Sequence, residues 1–130
     1  MKKQKLALLV FVAIIVVLAS YAVLAIYRYY NPLTFYDNGV SDEEYIAITN
    51  QTVEAQKFVE KYPNSVTQVD RSGGLAVDYR VTGHLDSEYL RLRIFIDWRN
   101  NKPEDMFVDN SGTYIRENIL EYLETVEFPN

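Results

Sequence analysis

Leu90-Arg91-Leu92-Arg93-Ile94-Phe95-Ile96-Asp97-Trp98 is the stretch that decides the fold. Leu90, Leu92, Ile94, Ile96 and Trp98 take every second position, with Arg91, Arg93, Phe95 and Asp97 between them. Side chains of a strand alternate between two faces, so this period of two predicts a strand with one apolar and one polar face. Just upstream, Leu75, Val77, Tyr79 and Val81 alternate in the same way with Ala76, Asp78, Arg80 and Thr82. The loop Gly83–Glu88 between the two runs is short, which makes them antiparallel neighbours. Shorter strands are expected at Val66–Asp70, before Arg71-Ser72-Gly73-Gly74, and at Met106–Asp109, after Asn100-Asn101-Lys102-Pro103. The prediction is a four-stranded antiparallel sheet.

Outward from the strands the period changes. Ala55, Phe58, Val59 and Tyr62 recur at helical spacing, with Thr52 as N-cap and Pro63-Asn64 as the stop. Ahead of them, Ser41-Asp42-Glu43-Glu44 fits a capping box, with acids suited to the positive end of the helix dipole. After the strands, Ile115, Ile119, Tyr122 and Val126 form a further helical stripe, widened by Leu120 and Leu123, with Ser111 or Thr113 as its N-cap. Helices, four strands and a helix give an α+β fold, most economically a sheet with its helices on one face.

Furthest from the sheet lies Leu6–Tyr27, LALLVFVAIIVVLASYAVLAIY, with no charge and only Ser20 strongly polar. As a helix this run is about 33 Å long, enough to cross a hydrocarbon core, and helix is the form that satisfies its backbone there. Tyr27, Tyr29, Tyr30, Phe35 and Tyr36 resemble an interfacial aromatic belt. Lys2, Lys3 and Lys5 precede the span, and only Arg28 follows it closely, so the positive-inside rule leaves the N-terminus in the cytoplasm. The expected organisation is residues 1–5 as a basic cytoplasmic end, 6–28 as a transmembrane signal anchor in the lipid bilayer, 29–40 as an interfacial tether ended by Asp37-Asn38-Gly39, and 41–130 as an extracytoplasmic domain. Asn31-Pro32 would end the span. A cleaved signal peptide, cut near Ser20-Tyr21-Ala22 or Val23-Leu24-Ala25, is the competing reading and puts the same domain outside. A pilin-like N-terminus is disfavoured, since the early glutamate and a Gly-type processing site are missing.

Charge is segregated along the chain. Residues 1–30 carry four basic residues and no acid, whereas all 18 acids lie beyond residue 30 against 9 basic residues. An acidic body repels phosphate backbones, which argues against nucleic acid as a partner. The absence of cysteine excludes disulfides, thiol catalysis and thiolate metal sites.

Few residues point to chemistry. His84, the sole histidine, falls in a loop without a rigid partner. Ser111 lacks the Gly-x-Ser-x-Gly context of a nucleophile elbow. Glu43/Glu44, Glu104/Asp105 and Asp109 lack the spacing of a calcium loop, and a surface cation site around Glu104–Asp109 is the weaker reading beside solvated charge. No catalytic residue, metal ligand or cofactor is therefore assigned, and an enzyme is not expected. Asp78, Arg80, Arg91 and Arg93 share the polar faces of adjacent strands. They form either a cross-strand charge ladder or, with Phe95, a strip that binds a carboxylate or an acidic peptide. Asn50-Gln51-Thr52 is a glycosylation sequon, which makes Asn50 a candidate modification site outside the membrane.

Ala55-Gln56-Lys57-Phe58-Val59-Glu60-Lys61-Tyr62-Pro63-Asn64, followed by Gly74–Val81 and Arg91–Asp97, resembles small PepSY-like domains over about residues 41–110. Such domains also occur in membrane-anchored archaeal proteins. The resemblance implies an extracytoplasmic compartment and a regulatory or inhibitory role toward an envelope peptidase. No peptidase follows in this chain, the C-terminal helix lies outside the minimal pattern, and no family catalytic residue carries over. The functional expectation is a membrane-anchored module that binds a protein or peptide at the cell envelope. The alternative is a structural accessory subunit of a larger membrane complex, packed through the small residues Ala19, Ser20, Ala22 and Ala25. The oligomeric state is left open.

Overall fold

The computed structural model describes residues 2–30, 39–72 and 74–129. The expected stop at Asn31-Pro32, the aromatic residues Phe35 and Tyr36, and the Asp37-Asn38 part of the turn lie outside the described residues. The chain divides into two compact units, Met1–Asp37 and Asn38–Asn130.

The first unit contains helix α1, Lys2–Tyr30, of 29 residues with every described side chain exposed. It is long and apolar enough to cross a membrane. Ser20 donates its hydroxyl to the carbonyl of Val16 at 2.8 Å, so the one strongly polar side chain of the run is satisfied within the helix.

The second unit opens with α2 (Asp42–Thr49) and α3 (Val53–Lys61). Ser41 and Thr52 cap them as expected, accepting from the backbone N–H of Glu44 and Ala55 at 3.3 Å each. Five strands follow: β1 (Val66–Asp70), β2 (Ala76–Thr82), β3 (Tyr89–Asp97), β4 (Lys102–Asn110) and β5 (Thr113–Ile115). They form an antiparallel sheet in the order β1-β2-β3-β4-β5. Helix α4, Ile119–Thr125, completes the unit.

The four-strand expectation is corrected at the C-terminal side. Ser111 and Gly112 have φ of 47° and 102°, the backbone of a two-residue hairpin turn that pairs Asn110 with Thr113. Thr113–Ile115 is therefore a strand rather than the start of a helix, and neither Ser111 nor Thr113 is a helix cap. The N-cap of α4 is Asn118, in the left-handed region at φ 55° and without a capping side-chain bond. Strand β4 also begins earlier than Met106. Glu104 is the extra residue of a bulge, since Phe95 pairs with Asp105 and Ile96 with Pro103. At this end β4 has no β5 partner, since β5 pairs only Val108–Asn110, and a bulge there tolerates Pro103, which lacks a backbone donor.

The inner face of the sheet carries Leu75, Val77, Tyr79, Val81, Leu90, Leu92, Ile94, Ile96 and Val108, all buried. Tyr45, Ala55, Phe58, Tyr62, Ile119 and Leu123 supply the helical side of this core. Val59 departs from the expected stripe and is exposed. Leu92 and Ile94, on the central strand, are each worth about 1.5–3 kcal/mol of burial. One polar thread crosses this core. The Thr49 hydroxyl lies 2.7 Å from the Tyr79 hydroxyl, which in turn donates to Asn50 Oδ1 at 2.6 Å. The Thr49 hydroxyl also reaches the Ile46 carbonyl at 3.1 Å, so the two hydroxyl protons are shared among three contacts. Burial raises the Tyr79 phenol above its ordinary value, with the Thr49 bond acting in the opposite direction.

Candidate functional site

The outer face of the sheet is lined by the residues that alternate with the core. Register places Val66 beside Arg80 and Gln68 beside Asp78 across β1 and β2, and Asp78 beside Arg93 and Arg80 beside Arg91 across β2 and β3. It further places Arg91 beside Asp109, Arg93 beside Phe107, and Phe95 beside Asp105 across β3 and β4. All five residues expected to form the strip, Asp78, Arg80, Arg91, Arg93 and Phe95, thus lie on one face.

The arginines are not equivalent. Arg91 donates through Nη2 to Asp109 Oδ2 at 2.9 Å, and Asp109 is fully buried beneath it. Asp109 also accepts from the Tyr89 hydroxyl at 2.9 Å and from the Gly112 N–H at 3.0 Å. This carboxylate has no place in a surface cation site. It is an internal acceptor that ties β3, β4 and the β4–β5 turn together, and its bond to Tyr89 raises that phenol above the ordinary range. Arg93 serves two acids. It bonds Asp70 Oδ2, and its Nε lies 3.3 Å from Asp78 Oδ1. Asp70 is pulled down to about 2, first by the hydroxyl and backbone N–H of Ser72 and then by Arg93. Asp78 moves the other way. Burial raises its carboxyl above the usual range, against the pull of Arg93, Arg91 and, more weakly, Arg80.

Arg80 differs from both. Among the described residues it makes no ion pair, and its guanidinium stands 4.4 Å from the centre of the Tyr89 ring. Guanidinium planes cover aromatic rings across the rest of this face too, with Arg91 5.8 Å from Phe107, Arg93 5.4 Å from Phe95 and Arg116 5.7 Å from Phe107. Both readings of the strip therefore have their own residues. Arg91 and Arg93 belong to the ladder that roofs the sheet, whereas Arg80 is exposed and meets Asp78 only beyond ion-pair distance.

A recess of about 150 Å³ opens beside Arg80, lined by Val66, Gln68, Asp78, Arg80, Thr82 and Arg91. It adjoins β1, the terminal strand of the sheet, which reads Val-Thr-Gln-Val-Asp, its first four residues uncharged and three of them β-branched. Val66 at its start is 66% exposed. Natural edges are usually blunted by lysine, proline or a bulge, and Val66–Val69 has none of these.

The remaining candidates are dispersed. His84 is exposed in the β2–β3 loop, and Glu43 and Glu44 lie in the first turn of α2. Asp105 pairs with Arg116 at 2.9 Å. Among the described residues no three His, Cys, Asp or Glu side chains converge to hold a metal ion. Asn50 is exposed at the end of α2, with its side-chain oxygen engaged by Tyr79 and the Thr52 hydroxyl engaged in capping α3. The polar side chains of the sequon therefore also join α2, α3 and β2.

Sequence reasoning missed Asp70, Tyr89, Phe107 and Asp109 as members of this face. Asp109 carried a usable signal. It is the polar neighbour of Val108 in a run that alternates as Met106, Val108 and Asn110 against Phe107 and Asp109, which aligns it with Arg91 once β3 and β4 are paired. No family model, no curated protein and no solved structure matches this chain.

Proposed function

We propose that this protein is a membrane-anchored module that binds an extended peptide segment by strand addition at β1, on the extracytoplasmic side. The observation that carries the reading is the unblunted edge of β1 next to Arg80, which makes no ion pair among the described residues. Strand addition draws its affinity from backbone bonds and its selectivity from the side chains beside the edge. This placement is supported by the apolar run of α1, with three lysines ahead of it and an acidic body behind it. Under this reading α1 keeps the module attached to the membrane. A regulatory or inhibitory role toward an envelope peptidase, as the PepSY-like resemblance implies, is one setting for such binding.

The test uses the full chain in lipid nanodiscs with pools of short, capped, amidated peptides rich in Val, Ile and Thr. Amide hydrogen exchange should slow at β1 on addition of the pool and stay unchanged at β5 and α4. Protection confined to the helices, or no protection anywhere, would remove β1 as the binding element.

A further inference from the structure

We infer that the recess between β1, β2 and Arg91 is a subsite for the acidic side chain of the added segment, with Arg80 as its charged anchor. This rests on the strand-addition reading above. An added strand lies about 4.8 Å beyond β1, with every second side chain on the outer face. The one that lands beside Val66 is separated from Arg80 only by that small valine, because Val66 and Arg80 are register partners. An extended glutamate and the long arginine stem meet across this gap.

Three observations select a carboxylate. The outer face holds three guanidiniums on β1 to β4, but Arg93 takes Asp70 and Asp78 together, Arg91 takes Asp109, and the other acids of the face are engaged elsewhere, Asp105 by Arg116 and Asp97 by the Arg99 N–H and the Asn100 amide. Arg80 makes no ion pair among the described residues; it stands over an aromatic ring, with Asp78 beyond ion-pair distance. The Tyr89 ring holds the guanidinium plane without using its edge donors, which leaves a planar fork suited to a carboxylate. Gln68 and Thr82 add neutral donors to the same recess. Its volume of about 150 Å³ is far below the roughly 300–1,000 Å³ of a drug-sized site, so it takes the tip of a side chain rather than a free metabolite of any size. Asp78 also lines the recess and opposes an anion, which makes the sign of its replacement diagnostic.

The probes are two pools of short, capped, amidated peptides with randomised Val, Ile and Thr flanks around a central Glu or a central Gln. A third pool has the central Gln and a free C-terminal carboxylate. Binding to the full chain in nanodiscs is followed by fluorescence anisotropy. The Glu pool should bind about tenfold or more tighter than the amidated Gln pool, as expected for a charge-assisted contact. Arg80→Gln should erase that difference while leaving the affinity for the Gln pool in place. Asp78→Asn should widen it. Arg80 is exposed, so Arg80→Gln is not expected to disturb folding, and an unchanged thermal transition checks this. Equal binding of the Glu and amidated Gln pools overturns the subsite and leaves strand addition standing. Tight binding of the free-carboxylate pool alone overturns the assignment to a side chain. If no pool binds, strand addition falls and the subsite falls with it.

Discussion

Asp109 is the residue on which the outer face depends. It is fully buried, and its charge is matched by one guanidinium. Removing one partner of a buried pair leaves the other charge uncompensated, so Arg91→Ala should cost about 3–5 kcal/mol in urea unfolding. A cost below about 1 kcal/mol would show that water reaches Asp109 and solvates it. Arg91 is therefore a poor position for probing ligand binding, because lost binding and lost fold would coincide. Arg80, which buries no partner, is the clean position. In the core, Tyr79→Phe should cost about 0.5–1.5 kcal/mol, since Asn50 Oδ1 loses its donor while the Thr49 hydroxyl keeps the Ile46 carbonyl as acceptor. Asp70 and Asp78 should separate in a carboxyl-carbon NMR titration, with Asp78 protonating first as pH falls and Asp70 only near about 2. The signs for stability are opposite. Asp70, whose value is lowered on folding, contributes stability that is complete above its ordinary value of 3.8 and is lost as pH falls toward about 2. Asp78, whose value is raised, binds its proton more tightly in the folded state, so stability falls as pH rises through its folded value. Titration of both residues together near 3.8 would contradict the pairing described here.

At the scale of elements, α2 and α3 are short and depend on their caps and on the sheet. Ser41→Ala and Thr52→Ala should each cost about 1 kcal/mol, read from the shift in the urea midpoint. Thr52 should cost more than Ser41, because its hydroxyl also donates to the carbonyl of Thr49 at 2.6 Å and so links the two helices. Gly83 lies at a close approach of another kind. A Cβ there would stand 2.8 Å from Glu88 Oε2 and 3.2 Å from Phe128 Cζ, and Phe128 packs on Tyr62 with ring centres 6.5 Å apart. Gly83→Ala should therefore loosen the C-terminal segment, seen as faster proteolysis after Thr125 with β3 unaffected. An unchanged cleavage pattern would show that the Glu88 side chain swings aside and absorbs the methyl. The elements most legible in the sequence were β2, β3 and the two capped helices, because period and cap chemistry are local signals. Strand β5 was not legible, since Ile115 and Ile119 sit four residues apart and read as one helical stripe. Asn118 in the left-handed region breaks that stripe, and nothing in its neighbours announces it.

For the whole molecule, the decisive contrast lies between the apolar run of α1 and the acidic body. Protease added to intact cells should degrade residues 39–130, whereas residues 1–5 should become accessible only after the membrane is opened. The reverse pattern would invert the topology and with it the proposed site of action. Salt should affect the two proposed contacts differently. The Glu-over-Gln preference at Arg80 should shrink as ionic strength rises, because the pair is exposed, whereas backbone pairing along β1 should persist.

The α+β class, the exposed apolar helix, the caps at Ser41 and Thr52, and the placement of Asp78, Arg80, Arg91, Arg93 and Phe95 on one face were determined by the sequence alone. Each follows from period, composition or a contact within a few residues. The fifth strand, the internal role of Asp109 and the isolation of Arg80 were decided only by the tertiary structure. Which acid meets which arginine depends on strand register and on competition among partners far apart in the chain. No local pattern encodes that competition.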